Sequence, residues 1–112
     1  MEKNQREMKF MEIKLIPEAE KEYKDLDGSL KKLVDDKFEA LEKNPYLGEA
    51  LGNKNNIDLT GFYKIYFNKK KNRIVYRITE EENIEIIEVW GIGKKEKMEI
   101  YKDVEKRILK RN

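Results

Sequence analysis

Phe62–Thr79 reads FYKIYFNKKKNRIVYRIT, two runs of aromatic and β-branched residues with lysines between them. Such runs are strands, and so short a connection makes them antiparallel neighbours. Side chains alternate between the two faces of a strand. Tyr63, Ile65 and Phe67 therefore point one way on the first strand, and Phe62, Lys64 and Tyr66 the other. On the second strand Ile74, Tyr76 and Ile78 share a face, and Arg73, Val75 and Arg77 take the opposite one. The simplest sheet buries Ile65, Phe67, Ile74, Tyr76 and Ile78 and displays Lys64, Tyr66, Arg73 and Arg77 together.

A third strand, Asn83–Trp90, follows the turn Glu80-Glu81-Glu82 and completes a meander. Upstream, Lys9–Ile16 alternates as a strand. Pro17 suits a first helical turn, where its missing N–H costs nothing. Ala19, Tyr23 and Leu26 then mark a short helix ending near Asp27-Gly28. Ser29 is the expected cap of a second helix, whose stripe is Leu30, Leu33, Val34, Phe38 and Leu41 and which Asn44-Pro45 stops. Tyr46–Thr60 is a Gly- and Asn-rich connector without a regular period. A last helix spans about Lys95–Lys110, with Met98, Tyr101, Val104 and Ile108 on one side. The expectation is an α+β domain over 9–112 in the order β-α-α-β-β-β-α, an antiparallel meander packed on a helical hairpin. Residues 1–8 read as a flexible polar tail.

The 112 residues have room for one small domain. There is no Cys and no His, which removes disulfides, cysteine nucleophiles, the Ser-His-Asp triad and His-containing metal sites. No apolar run approaches the roughly 20 residues that span a bilayer. The first ten residues lack the apolar core of a signal peptide, so a cytoplasmic protein is expected. No metal and no cofactor are expected.

Charge is unevenly spread. Residues 1–50 carry net −3 and residues 51–112 net +5. Gly61–Arg77 holds Lys64, Lys69, Lys70, Lys71, Arg73 and Arg77 with no acid. Two readings stand: a solvated hairpin tip, or a surface for a polyanion. A face showing only positive charge around an aromatic ring suits a sugar-phosphate chain with a stacked base. The third strand ends in Trp90-Gly91-Ile92-Gly93-Lys94-Lys95, whose glycines are expected to bend the chain into the last helix. Lysines in a first helical turn oppose the helix dipole, so Lys94 and Lys95 suit a phosphate or are simply solvated. Tyr101 reads as a core tyrosine whose hydroxyl can reach the same edge.

Three signatures, in order, resemble the RelE/ParE superfamily of bacterial type II toxins, the RelE-like branch most closely. They are Leu59-Thr60-Gly61-Phe62-Tyr63-Lys64-Ile65, Asn72-Arg73-Ile74-Val75-Tyr76-Arg77, and Val89-Trp90-Gly91-Ile92-Gly93-Lys94-Lys95-Glu96 followed by Tyr101. The resemblance runs from about Lys9 to Leu109. It implies a toxin neutralised by a cognate antitoxin and a metal-independent, ribosome-dependent mRNA endoribonuclease that inhibits translation. It also implies that Lys64, Arg73, Lys95 and Tyr101 are catalytic. Tyr66, Arg77, Lys94, Lys69 and Lys71 are read as RNA contacts. Lys95 stands where the family has arginine, and Tyr66 where it often has a second basic residue. Losing one transition-state donor typically costs on the order of 10²–10³ in rate. The alternatives are therefore a ParE-like gyrase inhibitor or a catalytically impaired member that binds only its antitoxin, and a nucleic-acid-binding domain outside toxin biology.

Overall fold

A computed structural model describes residues 10–94 and 96–111. The tail expected over residues 1–8 and the proposed site residue Lys95 lie outside the described residues. Strand β1 (Phe10–Leu15) leads into helix α1 (Pro17–Lys24) and helix α2 (Gly28–Lys43). Three two-residue strands follow: β2 (Glu49–Ala50), β3 (Asn53–Lys54) and β4 (Ile57–Asp58). The meander is β5 (Phe62–Phe67), β6 (Asn72–Glu81) and β7 (Ile84–Lys94). A 3₁₀ turn (Glu96–Met98) and helix α3 (Glu99–Arg111) close the described chain.

The main sheet has the order β1-β7-β6-β5-β2, while β3 and β4 form a separate hairpin. β1 runs parallel to β7, and the other pairs of the main sheet are antiparallel. The α+β expectation therefore holds, with a mixed sheet. The helical hairpin carries the chain across one face, so β2 joins the far edge.

Pro17 opens α1 without loss of a hydrogen bond. Asp27, not Ser29, caps α2: its Oδ1 accepts from the Leu30 N–H at 2.9 Å, and the Ser29 hydroxyl donates to the same carboxylate at 2.7 Å. These bonds hold the Asp27 carboxyl below its usual pKa, the Leu30 N–H first among them. The helix begins at Gly28, two residues earlier than a Ser29 cap implies, which puts Ser29 inside it.

The first core lies between the helical hairpin and the sheet. Ile65, Phe67, Ile74 and Tyr76 are buried with Val34 and Leu41, and Phe38 and Ile78 pack against them. Leu33, expected there too, is 37% exposed. It lies beside Val34 on the helix, about 100° around the axis, and turns off the buried stripe.

The opposite face is also covered. Phe62, Val75 and Trp90 are buried under Ile100, Tyr101 and Val104 of α3, with Ile57 and Leu59 at the side. The molecule is thus three layers deep over part of its sheet, and the basic face is open only toward one end. Gly91 and Gly93 explain how α3 comes so close. A Cβ at Gly91 would stand 2.7 Å from Val104 Cγ2 and 2.8 Å from Ile100 Cδ1. At Gly93 it would be 3.2 Å from Ile100 Cδ1. These glycines make room for the helix. They do not bend the chain, because β7 continues through them to Lys94. Lys94 is accordingly a strand residue and not part of a first helical turn.

The turns also differ from expectation. Glu82 and Asn83 have φ of 50° and 70°, a two-residue hairpin turn, so β6 runs on to Glu81 and β7 starts at Ile84, one residue after the expected Asn83. Asn55 and Asn56, with φ of 54° and 62°, turn β3 into β4 inside what had read as irregular connector.

Candidate active site

The sheet register lays the polar side chains out in a row. Glu49 of β2 faces Lys64 of β5, and Tyr66 of β5 faces Arg73 of β6. Lys64 and Tyr66, two residues apart on one strand, share a face. The Lys64 ammonium lies 5.1 Å from the centre of the Tyr66 ring, and the Arg73 guanidinium 4.8 Å from it. Arg73 also lies 4.9 Å from the centre of the Tyr101 ring, and its Nη1 donates to the Tyr101 hydroxyl. The ε N–H of Arg73 is buried without a hydrogen-bond partner. Arg73 is therefore held between two phenols, with no carboxylate bound to it among the described residues.

Lys64, Arg73 and Tyr101 line a cleft of about 470 Å³ together with Leu51, Lys54 and Met98, among others. No acidic residue is among the described residues that line it. Its floor is the sheet, and its walls are α3 and the β3–β4 hairpin. Tyr76, fully buried, fixes the chain that leads to this wall. Its hydroxyl donates to the Pro45 carbonyl at 2.8 Å and accepts from the Gly48 N–H at 3.0 Å. Burial raises the Tyr76 phenol above its ordinary pKa, which keeps the donor in place. Gly48 is required there: a Cβ would stand 2.6 Å from the Tyr76 hydroxyl and 2.5 Å from the Lys64 carbonyl.

Tyr101 owes its position to the clamp on α3. Arg107 reaches across with a two-pronged contact to Glu22 at 3.0 and 2.7 Å and donates to the Trp90 carbonyl at 2.8 Å. Glu22 also accepts from the Ile92 N–H at 3.0 Å. α1, β7 and α3 are thereby joined through one ion pair. At the end of α3, Arg111 donates to Glu18 and holds its carboxyl down at about 2.

Tyr66 touches the two cations but lines a separate depression, with Leu33, Asp36, Lys37 and Lys70 among its neighbours. Lys64 beside its hydroxyl, helped by Arg73, lowers the pKa of this phenol, against the opposing effect of burial. The arrangement favours the phenolate more than water would.

Lys64, Arg73, Tyr66 and Tyr101 are thus brought together. Arg77 does not join them. It shares the face but lies further along the sheet, where its Nε donates to Glu88 at 2.6 Å and its guanidinium lies 5.0 Å from the Trp90 ring. Lys69, Lys71 and Lys94 surround a different depression, at the hairpin tip, with Lys70 and Glu96. Lys70 also approaches Tyr66, its ammonium 5.8 Å from that ring. Among the described residues no three His, Cys, Asp or Glu side chains are placed to hold a metal ion. No helix among them is long and apolar enough to cross a membrane.

Glu49, Lys54 and the hairpin wall were missed from sequence. The Asn55-Asn56 pair was the available signal, since Asn tolerates the left-handed conformation that a two-residue turn needs. Nothing comparable announces the pairing of Glu49 with Lys64.

The fold and this basic cleft define a small toxin-like α+β domain. The family model for the ParE toxin of the type II toxin-antitoxin system parDE matches residues 13–94. The chain belongs to this family, within the RelE/ParE superfamily of type II toxins. Solved structures agree on the fold. An E. coli RelE toxin mutant in the free state superposes with a TM-score of 0.69 at 23% identity, covering 90% of this chain and 99% of that one. The YoeB/ParE toxin from Agrobacterium tumefaciens gives 0.60 at 17% identity, covering 75% and 98%. A chain of the intact E. coli RelBE toxin-antitoxin complex gives 0.58 at 20% identity, covering 76% and 96%. No curated protein matches the chain.

Proposed function

We propose that this toxin is a RelE-like endoribonuclease that cleaves mRNA on the ribosome and is held in check by a cognate antitoxin. The observation that carries this reading is the convergence of Lys64, Arg73 and Tyr101 on one cleft, with no acid among the described residues of its lining. Cleavage of RNA by its own 2′-OH needs a proton acceptor, positive charge at the non-bridging oxygens, and a donor for the 5′-oxygen. Arg73, held by two phenols and free of any carboxylate among the described residues, is suited to the phosphorane charge. Lys64 adds a point charge beside it. Tyr66 is the proposed proton acceptor, since its neighbours favour its anion. The Tyr101 hydroxyl, polarised by Arg73, is the proposed donor to the leaving oxygen. The lysines at the hairpin tip extend the positive surface toward the rest of the strand. The E. coli RelE relative has been solved with its antitoxin, which supports an antitoxin partner here.

Gyrase inhibition is the second reading, favoured by the match to a ParE model. Induction of the toxin in cells, followed by primer extension on a reporter mRNA, tests the first. The parent should arrest growth and create new mRNA 5′ ends. Arg73→Ala should lose both together, by about 10²-fold or more in cleavage. Lys70→Ala should only weaken the effect. Growth arrest by Arg73→Ala equal to the parent's, with DNA supercoiling inhibited, would establish the gyrase reading instead.

A further inference from the structure

Two of the three cations that line the cleft, Arg73 and Lys64, are prepared differently. Arg73 rests between two tyrosine rings. Lys64 has a carboxylate: its ammonium lies 3.4 Å from Glu49 Oε1. The side chain of Lys64 is only 19% exposed, that of Glu49 69%. An ammonium so far removed from water needs an anion beside it. Glu49 supplies one from the rim, while the described cleft lining is free of acids. The mobility of the pair is equally one-sided. Lys64 sits within β5, bonded to β6 on one side and to β2 on the other. Glu49 starts a two-residue edge strand and can turn into solvent for the small cost of an exposed ion pair.

The geometry points to Glu49 as a displaceable counter-anion, which pairs with Lys64 in the free protein and yields it to a phosphate of the incoming strand. Glu49 occupies the place of the substrate's charge and so sets how strongly a polyanion must bind to enter. The inference rests on the RNA reading of the cleft, but it concerns the free protein and any phosphate ligand. It gives Glu49 no part in bond making. It also separates the two ends of the row, because only the Lys64 end is guarded by a carboxylate.

Glu49→Gln keeps the shape and removes the charge. Two probes are used: a 2′-O-methyl RNA oligonucleotide, which cannot be cleaved, and inorganic tripolyphosphate. Glu49→Gln should bind both about two- to fivefold more tightly at low salt, as loss of an exposed ion pair allows. The gain should shrink as salt screens the charges. It should vanish in a Lys64→Met background, where the apolar stem is kept and the ammonium is gone. If Glu49→Gln leaves both affinities unchanged or weakens them, or if the gain survives in Lys64→Met, the counter-anion role is overturned. Tighter tripolyphosphate binding with no RNA binding by either protein would uphold the role and defeat the RNA reading. RNA binding that depends on Lys64 and Arg73 but ignores Glu49→Gln would do the reverse.

Discussion

Tyr101 and Tyr66 flank Arg73, and each hydroxyl is open to a separate test. Tyr101→Phe keeps the ring that packs in the second core and deletes the group to which Arg73 donates. Its fold should persist, with single-turnover RNA cleavage reduced about 10²-fold and RNA affinity nearly unchanged. Tyr66→Phe keeps the ring beside the cations and removes the proposed proton acceptor. In the parent, cleavage should rise with pH until the phenol, lowered by Lys64, has ionised. In Tyr66→Phe that rise should flatten, which a pH–rate profile shows directly. Tyr66→Lys restores the basic residue the family often carries and should outpace Tyr66→Phe. The central trio was legible at this scale because strand alternation puts Lys64, Tyr66 and Arg73 on one face. The isolation of Arg77 was not legible. Its partner Glu88 comes from the neighbouring strand, and the pairing depends on a bulge between Val75 and Tyr76 that shifts the register.

Among the elements, α3 depends most on particular side chains. Gly91→Ala would drive a methyl into Val104 and Ile100. The expected cost is about 1–3 kcal/mol, the usual range for overpacking, read as a lower midpoint in urea unfolding. The Glu18–Arg111 contact gives this helix a pH dependence. The Glu18 carboxyl is lowered from 4.5 to about 2 in the folded protein. A depressed acid contributes its full stabilisation above the unfolded value and loses it as pH falls toward the folded value. The melting temperatures of the parent and Glu18→Gln should therefore differ above about pH 4.5 and converge as the pH approaches about 2. The strands and both hairpin helices were readable because their apolar periods are clean. The β3–β4 hairpin was not, because four strand residues and two asparagines carry too little periodicity. The glycines of β7 were read as a bend because a glycine's need for space is visible only once the packing partner is known. The apolar stripe of α3 that carries Val104 was readable, but not the face of the sheet on which it docks.

At the scale of the molecule, three layers divide the labour. The helical hairpin and sheet form one core, α3 seals part of the other face, and the remaining open end carries the cations. The sequence showed the basic stretch Gly61–Arg77 as a single charge run. The fold splits it into a cleft around Arg73, a lysine-lined tip, and an arginine spent on Glu88. What the run could not show is the clamp from Glu22 to Arg107, which joins residues far apart in the chain and delivers Tyr101 to Arg73. The claim that this assembly is a ribonuclease is tested most directly with purified protein, programmed ribosomes and a labelled mRNA. Cleavage by the parent should be fast on the ribosome, slow on free RNA, and reduced about 10²-fold or more by Arg73→Ala. Intact mRNA with the parent protein, or cleavage that Arg73→Ala leaves at the parent's rate, would contradict the account.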